Sequence, residues 1–259
     1  MTQNLHDLLN KKTALYNQPD FITNDPVSIP HRFTRQQDIE IAGLFAAILA
    51  WGNRKSIIAS CTKLMTLMDN APFDFVLHAG PKQLNRLKGF VHRTFNTYDL
   101  WHLLQFLQHH YSKQQSLETA FTQWMQPGHD TIEQALAGFH HYVFGFNEAA
   151  HEEKHCRKHI STPEKKSACK RLNMYLRWMV RQDSSGVDFG LWKNISPAQL
   201  VCPLDVHVAR VARGLGLLQR KQNDWQAATE LTHQLKQFDP ADPVKYDYAL
   251  FGLGVIEKY

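Results

Sequence analysis

The sequence predicts an all-α protein. Three observations carry this. Apolar residues recur at helical spacing, as in Ile57, Ile58, Cys61, Leu64, Met65 and Met68. No alternating run of useful strand length occurs. Capping side chains stand directly before proline at Ser196-Pro197 and Asp242-Pro243, the pattern of a helix start.

Residues 38–51 are apolar almost all round, which predicts a buried helix that Gly52-Asn53 ends. The Ile57 to Met68 pattern predicts an amphipathic helix next. Residues 101–111 and 131–144 follow as helices. The second of these opens on Asp130 with Glu133 three residues later, the spacing of a capping box. Residues 170–180 place Leu172, Leu176, Met179 and Val180 on one face. Residues 204–213 form a short helix stopped by Gly214 and Gly216. Near the C-terminus Asp242 is expected to cap an apolar helix on which Tyr246 and Tyr248 pack; the alternative turns Asp247 or Tyr248 toward a pocket. Two stretches read as irregular: the polar, His- and Lys-rich residues 148–166, and residues 182–194. No internal repeat or low-complexity tract appears.

The chain has 259 residues, with 43% apolar and 20% charged, an ordinary globular balance. No run is apolar for long enough to span a bilayer, and no signal peptide opens the chain, so a cytoplasmic protein without a membrane partner is expected. The net charge of +5 and a pI near 9.0 suit a polyanionic partner such as DNA. Cys61, Cys156, Cys169 and Cys202 form no CxxC pair, which fits a reducing compartment.

Asp205 is the residue around which chemistry gathers. It sits at the start of the 204–213 helix, where an acid favours the dipole. Pro203 fixes the chain entering the helix, His207 lies two residues on, and Arg210 and Arg213 add positive charge.

The run Leu204-Asp205-Val206-His207-Val208-Ala209-Arg210-Val211 resembles the segment that carries the essential aspartate in helix-hairpin-helix DNA glycosylases. That pattern is apolar-Asp-Thr-His-apolar-x-Arg-apolar, so Val206 stands where threonine is usual. Ser167-Ala168-Cys169-Lys170-Arg171-Leu172 resembles the second helix of the hairpin motif, and Lys170 matches the nucleophilic lysine of strand-cleaving members. Residues 41–54 look like the buried helix and polar turn that places a residue into the DNA stack. The whole chain more closely resembles a bacterial family, domain of unknown function 2400. That match rests on Trp51-Gly52-Asn53-Arg54, His92-Arg93-Thr94-Phe95, the run from Lys170 to Met179, and Tyr246-Asp247-Tyr248-Ala249-Leu250-Phe251-Gly252.

The glycosylase resemblance implies one unit over residues 1–259, with two helical subdomains around a cleft. These are 30–160 and 161–259, with the N-terminal segment packing on the second. It also implies base release from DNA, with Asp205 stabilising positive charge on the sugar and Lys170 as a possible Schiff-base nucleophile. Lys165, Lys166, Ser167, Arg171, His207 and Arg210 are the expected DNA contacts. So are Asn53, Arg54, His92 and Arg93. Asn53 either fills the gap left by a flipped base or caps the end of the buried helix; His92 and Arg93 either grip DNA or join an interhelical network.

Departures accompany the match. The hairpin glycines that let backbone amides approach a phosphate are replaced by Thr162-Pro163-Glu164-Lys165-Lys166. The gap from Lys170 to Asp205 is longer than usual. No cysteine cluster exists for an iron–sulfur group, and no cofactor is expected. A DNA-binding module without catalysis is therefore the alternative function. A zinc-dependent hydrolase is a more distant one. His151, His155 and His159 recur at intervals of four, a ligand spacing, but their charged neighbours also fit a solvated surface, and no metal site is assigned.

Overall fold

The computed structural model describes residues 2–147 and 156–259. In chain order the α-helices are α1 (Thr2–Tyr16), α2 (Pro19–Thr23), α3 (Gln36–Leu49), α4 (Arg54–Leu67), α5 (Pro72–His78), α6 (Pro81–Asn85) and α7 (Thr97–Tyr111). Then come α8 (Thr119–Thr122), α9 (Glu133–Gly145), α10 (Lys170–Val180), α11 (Val206–Gly214), α12 (Trp225–Lys236) and α13 (Asp247–Val255). Short 3₁₀ turns link several of them, and no strand is present among the described residues. The protein is all-α.

The helices fall into two compact units. One comprises Ile22–Trp124 and Ala137–Ser161. Its centre is α3, buried from Ile39 to Leu49 because small and branched apolar residues cover every face. The one carboxylate in that stretch, Glu40, is fully buried. Its oxygens accept from Tyr111 Oη at 2.7 Å, Leu117 N at 2.9 Å, Ser116 Oγ at 2.5 Å and Gln36 Nε2 at 3.0 Å. A charge can stay in a core only when so bonded. Here it also ties the 115–118 turn onto α3. Phe121 and Phe139 stack at 4.0 Å below α7 residues such as Phe106.

The other unit comprises Met1–Phe21, Met125–Leu136 and Thr162–Tyr259. Helix α13 is apolar on nearly all sides and packs against α1 and α11. Gly254 makes the α11 contact possible. A Cβ there would lie 3.1 Å from His207 Cβ, His207 O and Val211 Cγ2. The 182–194 stretch has no helix, and two of its amides tie it to α10. Phe189 N and Trp192 N donate to the Trp178 and Met179 carbonyls at the end of α10, at 2.7 and 2.9 Å.

Three local expectations are corrected. Helix α9 begins at Glu133, not Thr131, and Asp130 does not cap it. Ile132 N instead donates to Gln199 O at 3.1 Å, which pulls the preceding backbone out of the helix. Ser196-Pro197 yields a single 3₁₀ turn, after which Leu200 is extended. Asp242 makes no cap bond; Arg181 Nε holds both its oxygens, at 2.8 and 3.1 Å.

Candidate active site

Lys170 and Asp205 come together in the second unit. Asp205 is extended (φ −113°, ψ −176°) and stands one residue before α11, as its N-cap. Oδ1 accepts from His207 N at 2.8 Å and Val208 N at 2.9 Å. This leaves Oδ2 for other work, and Lys170 Nζ lies 3.9 Å from it. The segment leading to Asp205 is fixed by Cys202 N, which donates to Thr232 Oγ1 at 2.9 Å, and by burial of Pro203 and Leu204. Lys170 opens α10, where the helix dipole opposes a cation, and the Asp205 carboxylate beside it offsets that opposition. The two side chains retain 28% and 20% of their surface, enough for a reactant to reach them.

The turn before α10 adopts left-handed backbone twice without glycine, at Lys166 (φ 59°) and Cys169 (φ 48°). Each costs about 1–2 kcal/mol relative to glycine-compatible chain. Tertiary bonds hold the turn in place. Lys166 O accepts from Trp225 N at 3.1 Å, and Ser167 bridges to Asp224. Ser167 Oγ accepts from Cys169 N at 3.2 Å. Lys165 and Lys166 are exposed, whereas Arg171 is half-buried and burial lowers its guanidinium from the ordinary value.

His207 and Arg210 are engaged with α13. Arg210 Nη2 donates to Gly254 O at 2.7 Å, and His207 packs on the same glycine with its Nδ1 buried and unbonded. Arg213 organises a turn by donating to the carbonyls of Arg220 and Lys221.

The remaining expected DNA contacts, Asn53, Arg54, His92 and Arg93, lie in the first unit, and His92 among them is buried in an internal network rather than presented at the surface. Asn53 does not end α3. Its backbone is extended, and its Oδ1 accepts from Lys55 N at 2.9 Å as the N-cap of α4, with Arg54 the next residue. His92 Nδ1 lies 2.8 Å from Ser60 Oγ, and burial lowers its imidazole. Arg93 lies over the Trp51 ring at 5.3 Å. Gly52 (φ 109°) permits this, since a Cβ would sit 2.3 Å from Arg93 Nε. Trp51 itself, quoted above for the family match but not among the expected contacts, is 50% exposed. An aromatic beside glycine and basic residues is the signal that was there to find.

A second omission is a buried charge cluster. Arg177 Nη1 bonds Asp247 Oδ2, and its Nε is 3.3 Å from Asp188 Oδ1. Arg181 Nη1 bonds Asp188 at 3.0 Å and Asp183 at 2.6 Å. Burial first, with the nearby Asp205 charge adding, raises the Asp247 carboxyl to about 6 despite Arg177. Its trace in the sequence is slight: Arg177 near the end of α10 and Arg181 at its C-cap, four residues apart.

Among the described residues no group of three or more His, Cys, Asp or Glu is arranged to hold a metal. His151 and His155 lie outside the described residues. His159 Nε2 is 3.3 Å from the buried Asp99 Oδ2 and sits edge-on to Phe95. The four cysteines are buried and free. No described helix is long and apolar enough to cross a membrane.

Residues 25–256 match the family described as "Protein of unknown function (DUF2400)". The chain belongs to this family. No curated protein and no solved structure matches it. The DUF2400 match spans the Lys170–Asp205 pair, the buried arginine cluster and the Trp51–Arg93 patch alike, and its description attaches no activity to any of them.

Proposed function

We propose that the protein is a DNA base-excision glycosylase with a helix-hairpin-helix type of site. The observation that carries this reading is the 3.9 Å approach of Lys170 Nζ to the spare oxygen of Asp205. As a base leaves, the C1′–N bond breaks, its electron pair goes to the base, and positive charge develops on the sugar. A fixed carboxylate stabilises that charge. The Asp205 carboxylate is fixed because two backbone amides hold its other oxygen. Lys170, once it has lost a proton, can attack C1′ and form a Schiff base; if it stays an ammonium, water completes the reaction. Exposed Lys165 and Lys166 offer phosphate contacts beside it, and Trp51 with Arg93 offers a stacking surface.

The test is a panel of duplex oligonucleotides, each with one oxidised, deaminated or alkylated base, with borohydride present to trap a Schiff base. Base release that Asp205→Asn abolishes is expected. Trapping lost in Lys170→Ala would assign the nucleophile. Binding without release of any base would replace this reading with a non-catalytic DNA-binding module.

A further inference from the structure

A cleft of about 870 Å³ lies in the same unit as Lys170 and Asp205, yet neither of them lines it. Ligand pockets run from about 300 to about 1,000 Å³. One wall is a stripe of α12 that carries Gln226, Glu230, His233 and Lys236 at intervals of three or four residues. The other is the turn at residues 128–131 together with Gln199. Hydrogen bonds fix this second wall. Gln199 Nε2 donates to His129 O at 2.9 Å, Ile132 N to Gln199 O at 3.1 Å, and Gln126 N to His129 Nδ1 at 3.1 Å. The last bond leaves the ring hydrogen of His129 on Nε2, a donor that no described residue takes. Lys236 spans the walls, with Nζ 3.4 Å from Asp130 O, but it has no carboxylate partner among the described residues. Asp130 likewise has no lysine or arginine partner among them. Glu230 uses Oε1 for Gln219 N at 2.6 Å and Arg220 N at 3.4 Å, and keeps Oε2. The cleft therefore presents both a cation and anions that its own fold does not pair.

We propose that this cleft binds a short peptide with free termini, at a site apart from the Lys170–Asp205 pair. Lys236 and His129 Nε2 take the carboxylate, and Asp130 and Glu230 take the ammonium. The Gln226 and Gln234 amides bond no described residue and take the peptide groups between the two ends. A single amino acid would leave most of the volume empty. A nucleotide fits poorly, because no Phe, Tyr or Trp lines the cleft for a base to stack on, and the carboxylates oppose a phosphate. Among the described residues the imidazoles and carboxylates are not arranged to hold a metal. The assignment stands without the glycosylase reading.

The test is a ¹H–¹⁵N spectrum of the full chain titrated with an equimolar tripeptide library. The free-terminus library should shift signals at residues 128–131 and 226–236. Acetylating the amino ends, or amidating the carboxyl ends, should each weaken binding about tenfold, the worth of one charge-assisted contact. Lys236→Met should lose most of the discrimination against the amidated library, and Asp130→Asn most of that against the acetylated one. The wild-type comparison decides even where a variant fails to fold. Equal binding of the free and the doubly blocked libraries overturns the proposal, as does the absence of shifts at these residues up to millimolar peptide. A free amino acid that binds as tightly as the library also overturns it. A lesion panel without base release leaves these titrations unchanged, so the two readings fail separately.

Discussion

Removing the Asp188 carboxylate should be among the most damaging single changes to folding. Its side chain has 0% exposure and takes Arg177 Nε at 3.3 Å and Arg181 Nη1 at 3.0 Å. In Asp188→Ala both guanidiniums stay buried, at 5% and 4% side-chain exposure, with one carboxylate fewer. Removing one partner of a buried pair typically costs about 3–5 kcal/mol. Arg177 keeps Asp247, and Arg181 keeps Asp183 and Asp242, so the low end, about 3 kcal/mol, applies. For a chain of this size that lowers Tm by about 6–12 °C. The internal control is Asp74→Ala. Its partner is Arg35, and the pair is 58% and 46% exposed, which limits the cost to about 1 kcal/mol. Thermal unfolding followed by far-UV circular dichroism reads both. Equal losses for the two variants would refute the argument that burial, not pairing, sets the cost.

Asp205→Asn keeps an oxygen for the α11 cap and should leave Tm near wild type, whereas Asp205→Ala should lose about 1 kcal/mol; equal Tm values would mean that the cap bonds contribute nothing. Gly52→Ala should cost about 1–3 kcal/mol, because φ is 109° and the new Cβ collides with Arg93. Adding Arg93→Ala should recover the collision part, and urea titration of the single and double variants would show whether it does. Burial lowers the His110 imidazole against the opposing pull of its bond to Ser116 O. The unfolded chain therefore takes up the proton first as pH falls, and stability from this residue, full above about pH 6.5, is lost below it. Calorimetry of wild type and His110→Gln should show a Tm gap that narrows from about pH 7 to about pH 5, and a constant gap would contradict the assignment.

The parts of the fold that were legible are those governed by local chemistry. Helix α3 follows from an apolar run broken only by Glu40, and α10 was bounded correctly at Lys170 and Val180 because its apolar face is sharply defined. The misread points are where a distant group intervenes. Gln199 O takes the Ile132 amide and delays α9, and Arg181 takes the Asp242 carboxylate that would otherwise cap. The site was legible in part. Asp205 and Lys170 stood out through their resemblance to a motif, since no periodicity links two helix starts so far apart in the chain. The Asp247 cluster was hidden because its members come from α10, the 182–194 stretch and the C-terminal turn, each ordinary when read alone.

The divided duty of Asp205 bears on how relatives can be judged. One oxygen begins a helix whether or not the other does any chemistry. Selection on folding alone would favour an acid or amide there, so an aspartate kept at this position in a relative is poor testimony to a working enzyme. Lys170 has no such second employment in the backbone, and a cation at the start of α10 is unfavourable without its counter-charge. A relative that keeps the lysine as well as the aspartate is retaining a costly residue, and the lysine is the better indicator of which lineages still use the site.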